Sequence, residues 1–431
     1  MNFHWEFPKI FIISILILLT FRNQIKDMSI TTALRPLYLK QRAATRKDPT
    51  HIPLYIYTVS FASLFIVVGL FWDISWHKSI GRDKLLSPPH LLIYLGGVLT
   101  GLTSGIQVLR NTFAPSEQIK KSAIKVWGFF YSSLGAMFCI WGAIAMLTSA
   151  PFDDWWHNTY GLDVVVLSPP HALLILGIFC LQLGSCVSIS KYMNLMEANN
   201  TDNLSYKKSR ILRFLFVLAT ASFLSTMFLF FQGFLDNRYQ RLSFFYQVTS
   251  ILILLFLPAF GAALRMKWGI TTITFAYFLI CNLCNWILQL FSAVPMLGPI
   301  LNPVTHFQAL QFPILFFIPA MAMDFVLQKF RRNNWLKAFL LSGIFILMLC
   351  LIQYPFSGFL LESPNARNWF FGSDSWLYSA DPDWQYRYKF APEEIQELPS
   401  FIKGMSIAVL FGAITSRVSI FIGSWMKKIV R

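Results

Sequence analysis

Two segments of the chain concentrate the side chains that can do chemistry. Residues 73–90 read DISWHKSIGRDKLLSPPH, and residues 153–171 read DDWWHNTYGLDVVVLSPPH. Each holds an aspartate, a histidine four residues on, and a second histidine directly after Ser-Pro-Pro. An Asp and a His four apart share one face of a helix. Ser-Pro-Pro predicts a helix start. Ser87 suits the N-cap, and Pro88 suits the first helical position, where its missing N–H has no partner in any case. His90 then falls in the first turn. A short loop between the two helices brings Asp73, His77 and His90 together, and the second segment does the same for Asp153, His157 and His171. Two imidazoles and a carboxylate make a three-donor set with open coordination positions, suited to copper, non-haem iron or catalytic zinc. Arg82 and Asp83 are placed to orient the first set, with Asp154 and Asp163 near the second. Trp76 is placed to pack over the first site and keep it dry.

The two segments are copies of one pattern. Asp73, Trp76, His77, Gly81 and Asp83 recur at the same mutual spacing as Asp153, Trp156, His157, Gly161 and Asp163. Ser87, Pro88, Pro89 and His90 recur as Ser168, Pro169, Pro170 and His171, and a single inserted residue brings the two copies into register. Two helices separate the motifs, which puts both on the same membrane face. A fainter echo, Asn302-Pro303-Val304-Thr305-His306, again sets a Pro and a His where a helix is expected to begin, and adds His306 as a further candidate ligand.

The 73–90 segment resembles the metal-binding motif of the C subunit of the copper membrane monooxygenases, the particulate methane and ammonia monooxygenases. That pattern has an Asp, Trp-His, Arg-Asp and Ser/Thr-Pro-x-His, met here by Asp73, Trp76, His77, Arg82, Asp83, Ser87, Pro88 and His90. The resemblance implies that Asp73, His77 and His90 bind copper in a subunit of an enzyme that oxidises small apolar molecules with dioxygen. It is confined to this one segment and the helical membrane setting around it. The second copy departs from it, with Leu162 in place of the Arg and its last His one position later.

The elements that position these residues must be membrane helices. Of 431 residues, 55% are hydrophobic and only 13% charged, against about 25% charged in a soluble domain. That excludes a water-soluble enzyme, a disordered chain and a small disulfide scaffold. Apolar runs long enough to span cover about 53–72, 90–109, 126–149, 171–190, 211–232, 246–264, 269–292, 306–328, 338–355 and 404–425. A shorter run, 10–21, reads either as an extra short span or as sequence upstream of a start at Met28.

Every second loop is basic. The basic set is Arg35 to Lys47, Arg110 to Lys125, Lys191 to Arg210, Arg265 and Lys267, Lys329 to Lys337, and Lys427 to Arg431. The intervening loops are neutral or acidic, apart from the first, with Lys78, Arg82 and Lys84, and the third, with Arg238 and Arg241. This places the basic loops in the cytoplasm and the motif loops outside it. It also accounts for the net charge of +16 without a nucleic-acid partner. The six cysteines lie within apolar runs, so a disulfide framework is not expected. Cys281 and Cys284, flanked by Asn282 and Asn285, read as helix-packing residues. Asp324 and Arg417 are candidates to pair with each other across helices. Residues 356–403, rich in Trp, Tyr and acids, form the one long polar segment, a lid, a docking surface or an interfacial stretch.

The sequence thus predicts an all-α polytopic integral membrane protein of about ten helices in the cytoplasmic membrane. An N-terminal segment (1–50) precedes the duplicated motif hairpins (51–192). Further helices (193–355), an outer loop (356–403) and a last helix with a basic tail (404–431) follow. The function expected is a copper-dependent oxidase or monooxygenase-like protein, zinc or iron being the other metals, with the bilayer and further membrane subunits as partners. Two other readings stand beside it: a metal-ion or small-solute transporter, and a structural or lipid-modifying protein in which the corners only cap helices.

Overall fold

The computed structural model describes residues 51–81, 84–115, 119–120, 123–161, 168–197, 203–296, 298–330, 334–373, 377–379, 381, 383 and 396–430. Arg82, Asp83, Asp163, Met28 and the run 10–21 lie outside them. From Ile52 onward the chain forms one compact unit, distinct from Met1–His51.

Nine helices are long and apolar enough to cross a membrane among the described residues. In chain order the long helices are α1 (Leu54–Ser79), α2 (Pro88–Phe113), α3 (Leu134–Tyr160), α4 (Pro169–Glu197), α5 (Asn203–Phe230), α6 (Ser243–Leu264) and α7 (Gly269–Leu288). A shorter α8 (Phe317–Lys329), then α9 (Asn334–Glu362) and α10 (Leu398–Met426), complete the set. The exposed residues of α2, Leu91, Leu95, Leu102, Ile106, Leu109 and Phe113, recur at helical spacing and form one apolar face, as lipid contact requires.

Small residues set the packing of the first four helices. A Cβ at Gly69 would stand 2.6 Å from Ile93, and one at Gly101 2.9 Å from Ala143. A Cβ at Gly142 would stand 2.6 Å from the Gly177 carbonyl, and one at Gly184 2.8 Å from the Gly135 carbonyl. These pairs run α1 against α2, α2 against α3 and α3 against α4 in antiparallel order. The α1–α2 and α3–α4 corners therefore sit at the same end of the unit. Backbones this close gain contact that larger residues would forbid. Hydroxyls and an amide add polar ties between helices: Ser185 Oγ donates to the Val59 carbonyl (2.7 Å), Ser60 Oγ to Leu215 (2.8 Å), and Gln182 Nε2 to Thr226 Oγ1 (2.9 Å).

At the end opposite the corners, α4, α6 and α10 are knotted together. Asn194 donates to the carbonyls of Met426 and Ile429, both at 2.8 Å. Arg265 donates to Asn194 Oδ1 and to the Lys427 carbonyl, and pairs with Glu197.

Two predicted spans take other forms. The run 126–149 begins as a two-stranded hairpin, β1 (Ile124–Val126) with β2 (Phe130–Ser132), turned by Trp127 and Gly128, both at positive φ. The helix is displaced toward the corner, so that α3 carries Asp153 and His157 in its last turns. The run 306–328 is helical only from Phe317; residues 306–316 are largely extended.

This extended stretch takes its hydrogen bonds from surrounding side chains. The Gln308 N–H donates to Ser79 Oγ (2.8 Å), and the Gln308 carbonyl accepts from Ser75 Oγ (2.7 Å). Lys78 Nζ donates to the Ala309 carbonyl (2.5 Å). Asn285 accepts from the Leu310 N–H (3.0 Å) and faces its carbonyl with Nδ2 (3.4 Å). Gln353 Oε1 accepts from the Leu315 N–H (3.1 Å).

All six cysteines are free. Cys281 Sγ lies 3.5 Å from Ser225 Oγ, which ties α7 to α5. Asp324 and Arg417 do not pair. Asp324 instead accepts from the N–H groups of Ile270 and Thr271 and from the Thr271 hydroxyl, capping α7 from the next helix, α8, and Arg417 lies over the Trp335 ring. The first turn of α7 offers unpaired N–H donors and favours a negative charge, which outweighs a distant guanidinium. The polar segment 356–403 is shorter than its composition suggests, because α9 continues to Glu362 and α10 begins at Leu398.

Replacing Asn285 with Ala strips two partners from the buried Leu310 peptide groups. We expect a loss of about 1–3 kcal/mol, read as a lowered thermal midpoint in detergent. An unchanged midpoint would show that the extended stretch does not depend on this amide.

Candidate metal centre

Each motif closes as a helix–loop–helix corner, and a glycine makes each one possible. Gly81 (φ 106°) and Gly161 (φ 88°) follow α1 and α3 in a backbone region that side chains with a Cβ rarely enter. Pro88 and Pro169 open α2 and α4, so His90 and His171 stand at the third helical position. The serines before them differ. Ser168 Oγ accepts from the His171 N–H (3.4 Å), as an N-cap does. Ser87 makes no such bond; its Oγ accepts from the Lys84 N–H (2.7 Å) and fixes the loop instead.

Within each corner the aspartate lies between its two histidines. Asp73 Oδ1 is 3.2 Å from His90 Nε2, and Asp73 Oδ2 is 4.0 Å from His77 Nε2. In the second corner Asp153 Oδ1 is 3.5 Å from His171 Nε2, and Asp153 Oδ2 is 3.4 Å from His157 Nε2. All four imidazoles present Nε2. Asp73 Oδ1 and Asp153 Oδ1 are both buried, yet neither makes a hydrogen bond of good geometry. An unsatisfied buried carboxylate oxygen is costly, and here the corresponding atom carries that cost in both corners.

One ring, that of His157, is oriented by the backbone. Its Nδ1 lies 3.3 Å from the Gly161 carbonyl, which can only accept, so Nδ1 carries the proton. A neutral His157 would then turn the Nε2 lone pair toward the Asp153 carboxylate. Two electron-rich groups at that distance repel unless the ring is protonated or a cation lies between them. A ring nitrogen held by a backbone carbonyl is also how metal-ligating histidines are oriented.

The donor separations suit a metal in part. Around an ion with bonds of about 2.0–2.2 Å, donors stand roughly 3–4 Å apart, as each carboxylate and its imidazoles do. As they stand, no group of three or more His, Cys, Asp or Glu side chains among the described residues is set to hold a metal ion.

The other candidate residues are spread around these corners. Trp76 packs on Phe307, with ring centroids 6.1 Å apart, in a cluster with Ile80 and Ala293, so it joins α1 to the 291–307 segment. That segment folds back on itself through a Ser292–His306 bridge and meets the first corner where the Met296 N–H donates to the Ile80 carbonyl (2.8 Å). His306 is exposed, with Nδ1 at 2.8 Å from the Thr305 hydroxyl, and it does not open a helix. No ion pair joins it to Asp73 or Asp153. Asp154 accepts from Asn158 Nδ2 at 3.4 Å rather than from a histidine. Arg82, Asp83 and Asp163 lie outside the described residues.

The corners differ in cover. Trp156 packs on Phe152 and Tyr160 of its own helix, next to an exposed Trp155. One Asp–His pair in each corner differs in exposure: Asp153 and His171 are 26% and 36% exposed, against 19% and 20% for Asp73 and His90, whereas His77 is 50% exposed and His157 26%. The rings Phe152, Trp155, Trp156 and Tyr160 at one end of α3, and Trp127, Phe129 and Phe130 beyond the other, match the aromatic belts of a spanning helix.

The chain matches no family model, no curated protein and no solved structure.

The closer, drier pair should be the more strongly coupled. A double-mutant cycle of Asp73→Asn with His90→Gln should give a coupling of about 1 kcal/mol or more, and Asp153→Asn with His171→Gln less than about 0.5 kcal/mol. Chemical unfolding of the four single and two double variants measures both. Equal couplings would mean that cover does not set the strength of these pairs.

Proposed function

We propose that this integral membrane protein binds a metal ion at each corner, through Asp73, His77 and His90 and through Asp153, His157 and His171. The metal we propose is copper, in an oxidase or monooxygenase-like protein acting on a small apolar molecule that arrives through the bilayer. The observation that carries the reading is the twofold occurrence of a buried, unsatisfied carboxylate oxygen facing an imidazole Nε2. The likeness of 73–90 to the copper membrane monooxygenase motif adds to it. Nitrogen and carboxylate donors also favour copper among the common divalent ions, with zinc and iron behind it.

The chain's own residues would divide the work. Asp73 and Asp153 supply negative charge to balance a cation. His77, half exposed and 4.0 Å from Asp73, is the donor that must swing inward to complete the first set. The Gly161 carbonyl holds His157 in the tautomer that leaves Nε2 free to ligate. Trp76 and Phe307 keep water from one side of the first corner. What bound copper supplies is redox chemistry with dioxygen. We place the corners on the extracytoplasmic side of the cytoplasmic membrane, opposite the basic loops, with further membrane subunits as partners.

Metal analysis of purified protein after loading with copper and desalting tests this. Wild type should retain up to one ion per corner. His77→Ala/His90→Ala should lose the first, and Asp153→Asn/His171→Ala the second. Equal metal content in all three proteins would end the metal reading.

A second reading, a small-solute or metal-ion transporter, draws on a separate observation. Residues 306–316 interrupt a predicted span with extended backbone bonded by side chains, and such stretches line cavities in transporters. Wild-type protein in liposomes should then take up copper or zinc against an entrapped indicator dye. Ion retention without uptake favours the oxidase.

A further inference from the structure

Behind the first corner, on another face of α1, lies a cavity of about 420 Å³, within the roughly 300–1,000 Å³ of small-molecule sites. Its polar wall carries Lys78, from the last turn of α1, together with Asp236 and Arg238 from the loop after α5. Its apolar wall carries Phe312 of the extended stretch, Leu360 of α9 and Phe371. Phe312 and Phe371 pack together, with ring centroids 5.3 Å apart, so this wall is a built surface.

The charges on the polar wall are unevenly matched. Asp236 Oδ1 accepts from both the backbone N–H (2.9 Å) and Nε (3.0 Å) of Arg238, so that oxygen is engaged by Arg238. Lys78 feels the Asp236 charge but makes no ion pair with it or with any other described residue. Among the described residues its ammonium makes one hydrogen bond, to the Ala309 carbonyl. An ammonium has three donors, so two remain. Among the described lining residues positive charges outnumber negative ones by one, and Lys78 is a half-buried side chain at the edge of a partly apolar space. A buried charge of that kind calls for an opposite charge.

We propose that this cavity binds a small amphipathic anion, a carboxylate or phosphate on a short apolar body, with Lys78 as its counter-charge. The anionic group takes the two remaining N–H donors of Lys78, and the apolar body lies against Phe312, Phe371 and Leu360. The inference does not rest on metal at the corners, because Lys78 and Asp236 belong to neither donor set.

Calorimetric titration of the full-length protein in nanodiscs of neutral lipid tests it, with hexanoate and hexyl phosphate as probes and hexanol as the uncharged control. Wild type should bind at least one anion saturably, and more tightly than hexanol. Lys78→Met should weaken that binding by about tenfold or more, the worth of a hydrogen bond to a charged group, and Lys78→Arg should largely restore it. Gly233 lines the same cavity, and a Cβ there would meet nothing within 4 Å. Gly233→Leu should therefore block binding while leaving Lys78 in place. Adding phosphatidic acid to the nanodiscs identifies the source: competition with hexanoate points to a lipid headgroup, and undiminished binding to a free solute. Equal hexanoate binding by wild type and Lys78→Met, or no saturable binding of either anion by wild type, would overturn the proposal. Metal content, measured on the same samples, reports separately on the corners.

Discussion

Backbone N–H and C=O groups that enter a bilayer must find partners inside the protein, because hydrocarbon offers none. A helix meets that demand by itself, whereas an extended stretch depends on its neighbours. Residues 306–316 draw on α1, α7 and α9 through Ser75, Ser79, Lys78, Asn285 and Gln353. Three of these donors and acceptors come from the last two turns of α1. The same two turns present Asp73 and His77 to the first corner. One short piece of helix therefore fixes the candidate metal centre on one face, anchors the extended stretch on another, and holds Lys78 at the cavity between α1 and the loop after α5.

The two corners show what a shared local pattern can and cannot impose. Positive-φ glycines, Pro-Pro helix starts and the Asp–His spacing recur in both, and so does the placement of carboxylate oxygens against Nε2. The packing around the two Trp side chains differs among the described residues: the 291–307 segment, distant in the chain, packs on Trp76, while Trp156 packs on aromatic rings of its own helix. The Asp73–His90 pair is also less exposed than Asp153–His171.

The legible part of the structure is the part whose signal is local. Asp73 and His77 sit four apart on a helix, and Pro88 and Pro169 can only begin one, so the geometry of the corners follows from short-range rules. Hydropathy also located nine of the spanning helices. It failed at 306–316 because an apolar run buried among helices need not be helical itself. The available signal there was Pro313, with Gln308 and Gln311 before it, polar and breaker residues in the middle of a supposed span. Trp127-Gly128 likewise marked a turn inside the run 126–149. The capping of α7 by Asp324 had no such signal, since its partners Ile270 and Thr271 belong to a different helix remote in sequence. Nor did the cavity, whose walls come from α1, the loop after α5, the extended stretch, α9 and the segment beyond it.

The knot formed by Asn194, Glu197, Arg265 and the carbonyls after α10 has a mechanical consequence. It fastens α4, α6 and α10 at the end remote from the corners. Rocking of α6 and α10 against α4 must then pivot there, and its amplitude must grow along the helices as it does along a lever arm. The greatest excursion falls at the opposite rim, where α4 begins with Pro-Pro-His beside the more open carboxylate.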